Sequence, residues 1–198
     1  MKKIATWQDQ NISEQLLAIL RKDGIIASST DTILGLLAPL TQGGWQQLNE
    51  IKHREQKPYI ILISDRKKAG LFCDELHLVK IEKIMKTYWP GPLTIILPAK
   101  NDLPDYLRSK DGTVALRVPD HAGLQKLLIH CDGLFSTSAN LAGQPVPHSI
   151  QEMDDSIKDR VDALVIDAHP RETAVASTII DCTGKDIRIV REGAIKIS

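Results

Sequence analysis

Four polar segments of this sequence each follow an apolar run, and their residue types suit the recognition of small polar or anionic molecules. The first is Ser29-Thr30-Asp31-Thr32-Ile33-Leu34-Gly35-Leu36, where hydroxyls and a carboxylate follow Ile25 to Ser28 directly. Such a group hydrogen-bonds a small polar ligand, or it forms an ordinary capped turn. The second is Lys52-His53-Arg54 with Lys57-Pro58 close behind. A guanidinium fork and ammonium point charges can clamp phosphate, and cations are equally at home on a solvated helix C-terminus. The third is Arg117, closing the run Thr113-Val114-Ala115-Leu116 just before Val118-Pro119. A buried arginine there either grips a carboxylate with both arms or makes a structural ion pair. The fourth, Ser136-Thr137-Ser138-Ala139-Asn140-Leu141-Ala142-Gly143-Gln144-Pro145, is small and hydroxyl-rich. Its amides can line an anion pocket, or it is a long surface loop. Ser177-Thr178 and Arg191-Glu192-Gly193 add polar groups nearer the C-terminus.

The elements that would carry these segments follow from hydrophobic period. Ile12, Leu16, Leu17, Ile19 and Leu20 predict a helix, with Asn11 and Glu14 as a capping box and Asp23-Gly24 as its stop. Ile25 to Ser28 reads as a short buried strand. A second helix is expected over Trp45 to Lys52, after a Gly43-Gly44 break. Tyr59 to Ile63 is apolar throughout, as in a strand covered on both faces. Val79 to Tyr88 predicts one helix, halted by Trp89-Pro90-Gly91-Pro92. Strands follow at Leu93 to Leu97 and Thr113 to Val118, then a two-turn helix marked by Leu124, Leu127 and Leu128. Leu134 to Thr137 leads into the fourth polar segment, and 163–166, 178–180 and 187–190 complete the strands. This alternation implies a single α/β domain with a mixed sheet.

Composition narrows the chemistry. The 198 residues suit one domain. Lys plus Arg equals Asp plus Glu at 25 each, and aromatics make up 4%, which counts against a dedicated nucleic-acid binder. Cys73, Cys131 and Cys182 are scattered, with no C-x-x-C, as expected of a reducing cytosol. No signal-peptide pattern or membrane-length apolar run is present, so a cytoplasmic location without membrane contact is expected. Neither a P-loop nor a G-x-G-x-x-G occurs, and no histidine spacing suggests a protein-bound metal.

In combination the segments are specific. Thr30-Asp31-Thr32 with Gly35-Leu36, Lys52-x-Arg54, Trp89 to Thr94, Arg117 to Pro119, Ser138-x-Asn140 to Gly143, Ser177-Thr178 to Asp181 and Arg191 to Gly193 occur in one order. That order resembles the YrdC/Sua5 family, the threonylcarbamoyl-AMP synthases, over about residues 12 to 195 of a single YrdC-like domain, 1–198. The resemblance implies a twisted mixed β-sheet with flanking helices around a concave, positively charged cavity. It implies a nucleotidyltransferase that makes threonylcarbamoyl-AMP and pyrophosphate from L-threonine, bicarbonate or CO2 and ATP, with Mg2+ on the nucleotide. The product would pass to a separate transfer complex for t6A37 modification of tRNA. By this resemblance Lys52, Arg54, Ser138 and Asn140 form the catalytic tetrad at the phosphates. Thr32, Arg117 and Ser177 hold threonine, and Arg54, Lys57, Thr113, Asn140, His148 and Arg191 contact ATP.

The chain departs from the family pattern at Ser29, Leu34, Glu55 and Glu192, where proline, an aromatic residue, proline and proline are frequent. A related branch also carries Arg-Glu-Gly but typically lacks the complete tetrad, all four of which are present here. Two other readings remain open. One is an RNA-binding module, for double-stranded RNA or tRNA, built on the same cavity. The other is a relative that adenylates with carbamoyl phosphate, as in larger hydrogenase-maturation proteins.

Overall fold

The computed structural model describes residues 4–53, 58–167 and 175–197. Its strands are β1 (Ile4–Thr6), β2 (Ile26–Ser28), β3 (Gly35–Pro39), β4 (Ile60–Leu62), β5 (Leu93–Pro98), β6 (Thr113–Arg117), β7 (Leu134–Ser138), β8 (Ala163–Ile166), β9 (Thr178–Asp181) and β10 (Arg188–Arg191). The helices are α1 (Ile12–Leu20), α2 (Gln42–Lys52), α3 (Glu75–Lys80), α4 (Glu82–Tyr88), α5 (Ala122–Leu128) and α6 (Asp155–Arg160). All ten strands join one mixed sheet in the order β1-β8-β2-β3-β7-β4-β6-β5-β9-β10.

Strand alternation sorts the core onto two faces. Ile25, Ala27, Leu36, Ala38, Ile61, Ile63 and Phe135 point to one face, packed with Leu48 and Ile51 of α2, Met85 of α4 and Ile157 of α6. Ile26, Leu37, Leu62, Leu134 and Val165 point to the other, covered by Ile12, Leu16 and Leu20 of α1 and Leu124, Leu127 and Leu128 of α5. That second face changes character across one row of the pleat. Leu62 is in register with Leu134 and Arg117. Ile60, two residues earlier, is in register with Ser136 and Ala115. Gly35 opposes Ser138 at the end of β3 and β7. Large apolar residues thus give way to small and polar ones, and a hollow is left on this face of the sheet.

Several local expectations need correction. Asn11 does not cap α1: it is left-handed at φ 58° and makes no side-chain cap bond. The stop after α1 is Asp23 at φ 61°, while Gly24 fits because a Cβ there would lie 2.5 Å from Ile19 Cγ2. Gly43 and Gly44 lie inside the first turn of α2 rather than before it. Thr41 is the cap, its hydroxyl accepting from the Gly44 N–H at 3.0 Å and donating to Asp23. A Cβ on Gly44 would come within 2.5 Å of the Pro39 carbonyl, so glycine permits the close approach of α2 to β3. The single helix expected over 79–88 is two helices, broken at Ile81. The Thr30-Asp31-Thr32 turn leads into β3.

Candidate active site

The hollow is a cleft of about 290 Å³. Thr30 and Thr32 line it from the β2–β3 turn, Gly35 from the start of β3, Arg117 from β6, Ser136 and Ser138 from β7, and Ser177 and Arg191 from the β9–β10 region. Stretches more than a hundred residues apart in the chain therefore share one small space.

Arg117 is buried at 5% exposure, and its guanidinium organises the inner end. One arm donates to Asp31 Oδ1 at 2.5 Å and another to Thr32 Oγ1 at 2.8 Å, while Nε donates to the Gly91 carbonyl at 3.1 Å. Asp31 also accepts the Asp120 N–H at 3.0 Å. Burial lowers the Arg117 pKa, and the Asp31 carboxylate opposes that shift. The structural ion pair that the sequence left open is therefore formed. Arg117 orients Thr32 through it, and the two remaining N–H donors of its five are what it can offer a ligand.

Thr32 is also fixed by Thr30: the hydroxyls stand 3.0 Å apart, and Thr30 Oγ1 donates to the Ile33 carbonyl at 2.7 Å. On the facing wall, Arg191 donates through Nε and Nη2 to the Ser177 carbonyl at 3.1 and 2.7 Å. The Ser177 hydroxyl lies 2.8 Å from that of fully buried Thr94. The Arg191 pKa is lowered, first by desolvation and then by the positive charge of Arg117. Two guanidiniums near enough to repel, with a single carboxylate at Arg117 among the described ion pairs, favour an anion between them.

Lys52 lies behind the cleft wall. At 3% exposure it donates to the Ser138 carbonyl at 2.7 Å, to Asn140 Oδ1 at 3.0 Å and to the Asn140 carbonyl. The structure thus joins Lys52, Ser138 and Asn140, with Ser138 on the cleft wall. Arg54 and Lys57 lie outside the described residues. Thr113 and His148 are not among the residues lining the cleft: the Thr113 hydroxyl is 2.8 Å from that of Ser109, and the exposed His148 donates its backbone N–H to the Glu152 carboxylate. Nothing local in the sequence assigns Thr94 a role or Asp31 a partner. Asp31 stood out as a carboxylate beside two threonines, but nothing local linked it to an arginine 86 positions away.

A larger hollow of about 780 Å³ is bordered by Trp45, Pro58, Tyr59, Tyr106, Arg108 and Lys110. Its guanidinium, Arg108, is already on Asp105 at 2.8 Å. Volume alone does not make a site: convergent polar groups do, and those are in the smaller cleft. Among the described residues no three His, Cys, Asp or Glu side chains converge on a metal position, and no helix is long and apolar enough to cross a membrane.

Comparison with known proteins follows the same lines. The Sua5/YciO/YrdC family model, described as "Telomere recombination", matches residues 18–193. The chain is 32% identical over 185 residues to the "Threonylcarbamoyl-AMP synthase" of Vibrio cholerae, covering 91% of this chain and 96% of that one. It is 33% identical over 186 residues to the Bacillus subtilis protein of the same name, of which it spans 53% while 91% of this chain is covered. A crystal structure of P. abyssi Sua5 complexed with L-threonine superposes with a TM-score of 0.85 at 27% identity, covering 96% of this chain and 57% of that one.

Proposed function

The chain belongs to the Sua5/YciO/YrdC family, and from that premise we propose that it is a cytoplasmic L-threonylcarbamoyladenylate synthase. It joins L-threonine, bicarbonate or CO2 and ATP into threonylcarbamoyl-AMP and pyrophosphate. The observation that carries the reading is the convergence of Thr32, Arg117, Ser138, Ser177 and Arg191 on one cleft. It is supported by the names of the relatives and by the threonine bound to a protein of the same fold.

In this reading the threonine carboxylate lies against the Arg117–Arg191 pair, and the hydroxyls of Thr32 and Ser177 fix its orientation. The threonine amine captures CO2 as a carbamate. A carbamate oxygen then attacks the α-phosphorus, and pyrophosphate leaves with the P–O bond electrons. No enzyme nucleophile is required. The protein's contribution is alignment and charge stabilisation. The phosphates run toward the Ser138–Asn140 turn, and the family motif supplies Arg54 and Lys57 as their cations. Mg2+ enters as part of the nucleotide substrate. The anhydride product is reactive, so a separate tRNA threonylcarbamoyl-transfer complex consumes it for t6A37.

The test is pyrophosphate release from ATP by the purified protein. Release that requires both L-threonine and bicarbonate supports the reading. Release indifferent to threonine, or none at all, contradicts it. Salt-steep tRNA binding without turnover would instead favour an RNA-binding module.

A further inference from the structure

We propose that Ser29, Asp167 and His121 form a tie, outside the cleft, that positions the Thr30-Asp31-Thr32 turn for threonine. None of the three is among the residues lining the cleft. His121 and Asp167, with Asp120, border a separate hollow of about 810 Å³ beside Trp7 and α5. They can act on a ligand in the cleft only through other residues.

Strand β2 ends at Ser28, in register with Val165 of β8. Beyond that point the two segments stay joined through Ser29. Its N–H donates to the Val165 carbonyl at 3.1 Å. Its hydroxyl donates to Asp167 Oδ2 at 3.0 Å and accepts the Asp167 N–H at 2.9 Å. Proline, frequent at this position in the family, has neither an N–H nor a hydroxyl and fixes the backbone by its ring instead. Here hydrogen bonds to Val165 and Asp167 take over that restraint.

Asp167 is held in turn by His121. The His121 Nδ1 accepts the Leu124 N–H at 3.1 Å, capping α5. A ring nitrogen that accepts carries no proton, so the imidazole N–H is at Nε2. Nε2 lies 3.0 Å from both Asp167 oxygens. Trp7 packs edge-on against the imidazole, with 5.4 Å between centroids, and opposes its rotation. The Asp120 N–H, next in the chain, donates to Asp31 Oδ2 at 3.0 Å, while Asp31 Oδ1 accepts from Arg117. The turn is thus anchored at both ends, Ser29 on Asp167 and Asp31 on the residue before His121. The His121–Asp167 bond closes the two anchors into a ring. Opening the ring at Ser29 loosens Thr32 and its bond to Arg117, the groups assigned to threonine. The Ser138–Asn140 turn, assigned to phosphate, lies outside it.

This inference rests on the synthase reading for its kinetic test but not for its spectroscopic one. In unliganded wild-type protein, long-range 1H–15N spectra should show the His121 proton on Nε2. Ser29→Ala and Asp167→Ala should each move the Arg117 Nε–H resonance, since Arg117 is bonded to both Asp31 and Thr32. A His121 proton on Nδ1, or an Arg117 resonance unmoved in both variants, overturns the proposal whether or not the protein is a synthase. In steady-state assays each variant should raise KM for threonine about tenfold, the effect of one lost hydrogen bond to a charged group, with kcat and KM for ATP changed by less than about threefold. The double variant should match the poorer single, because both open one ring. Ser29→Thr keeps the hydroxyl and should restore KM to near the wild-type value. A purely structural role would lower kcat or the folded fraction and leave KM for threonine unchanged, and that result would refute the assignment. Wild-type protein that releases no pyrophosphate contradicts the synthase reading alone.

Discussion

Replacing Asp31 by asparagine removes one negative charge from a buried pair and changes little else in shape. The Asp31 carboxylate is 1% exposed and its Arg117 partner 6%, with 2.5 Å between them. Arg117 is not released by the loss: Thr32 Oγ1 and the Gly91 carbonyl still accept from it. What remains is a buried guanidinium with three neutral acceptors, the asparagine oxygen included, and a second guanidinium, Arg191, near enough to repel it. Breaking a buried pair by removing one partner typically costs about 3–5 kcal/mol. The asparagine oxygen retains one neutral hydrogen bond, worth about 1 kcal/mol, so the lower end of that range, about 3 kcal/mol, is expected for Asp31→Asn. Thr32→Val removes only a hydroxyl accepting from a charged donor and should cost about 1.5–3 kcal/mol. Equilibrium urea unfolding at neutral pH, followed by circular dichroism, measures both. The double variant Asp31→Leu with Arg117→Met should recover stability to within about 1 kcal/mol of wild type, since apolar replacement of a buried pair is often neutral, while losing threonine binding. An Asp31→Asn loss below about 1 kcal/mol, the worth of a surface ion pair, would refute the account of the inner end of the cleft.

Three further outcomes follow from particular contacts. Gly44→Ala places a Cβ 2.5 Å from the Pro39 carbonyl and should destabilise by about 1–3 kcal/mol despite the better helix propensity of alanine; unchanged stability in urea would contradict the packing of α2 on β3. Burial pushes the Cys73 thiol up to about 12 and the Cys182 thiol to about 11 from 9.0, so both should resist iodoacetamide at pH 8 in the native protein and react on unfolding. Because the folded state favours the protonated thiol, that contribution to stability is complete below pH 9.0 and declines as pH rises toward about 12. The Asp181 pKa is lowered, chiefly by the Thr183 hydroxyl and also by Arg188, so its contribution is complete above 3.8 and is lost as pH falls through the lower folded value. Asp181→Asn should make the acid limb of the unfolding profile shallower, and an unaltered limb would contradict this.

Much of the fold can be read from local pattern, and its failures have local causes. The run Tyr59 to Ile63 announces a strand covered on both sides, and Ile61, Leu62 and Ile63 are indeed buried. Strand β3 was hidden because Gly35 and Pro39 at its ends look like turn residues. Helix α6 was missed because Ile157 is its one buried residue, and its capping Asp154 has no apolar periodicity behind it. The helical period through Val79 to Tyr88 runs on across Ile81, where the backbone leaves the helix at φ −108° and ψ 11°. For the site, the polar segments contain Thr32, Arg117 and Ser138, and the family resemblance, not residue type, points to Ser177 and Arg191; all five line one cleft. Partnership was not legible. Whether Arg117 faces a ligand or Asp31, and whether Lys52 faces phosphate or the Ser138–Asn140 turn, depends on strand order and register. Those are set by contacts 85 to 88 positions apart, beyond any local pattern.

The most direct measurement is a crystal structure of the protein with L-threonine and a non-hydrolysable ATP analogue. The threonine carboxylate should lie within hydrogen-bonding distance of Arg117 or Arg191 with Ser177 beside it, and the α-phosphate should face the threonine amine. Threonine or nucleotide seated elsewhere, such as the hollow beside Trp45 and Tyr106, would contradict the account.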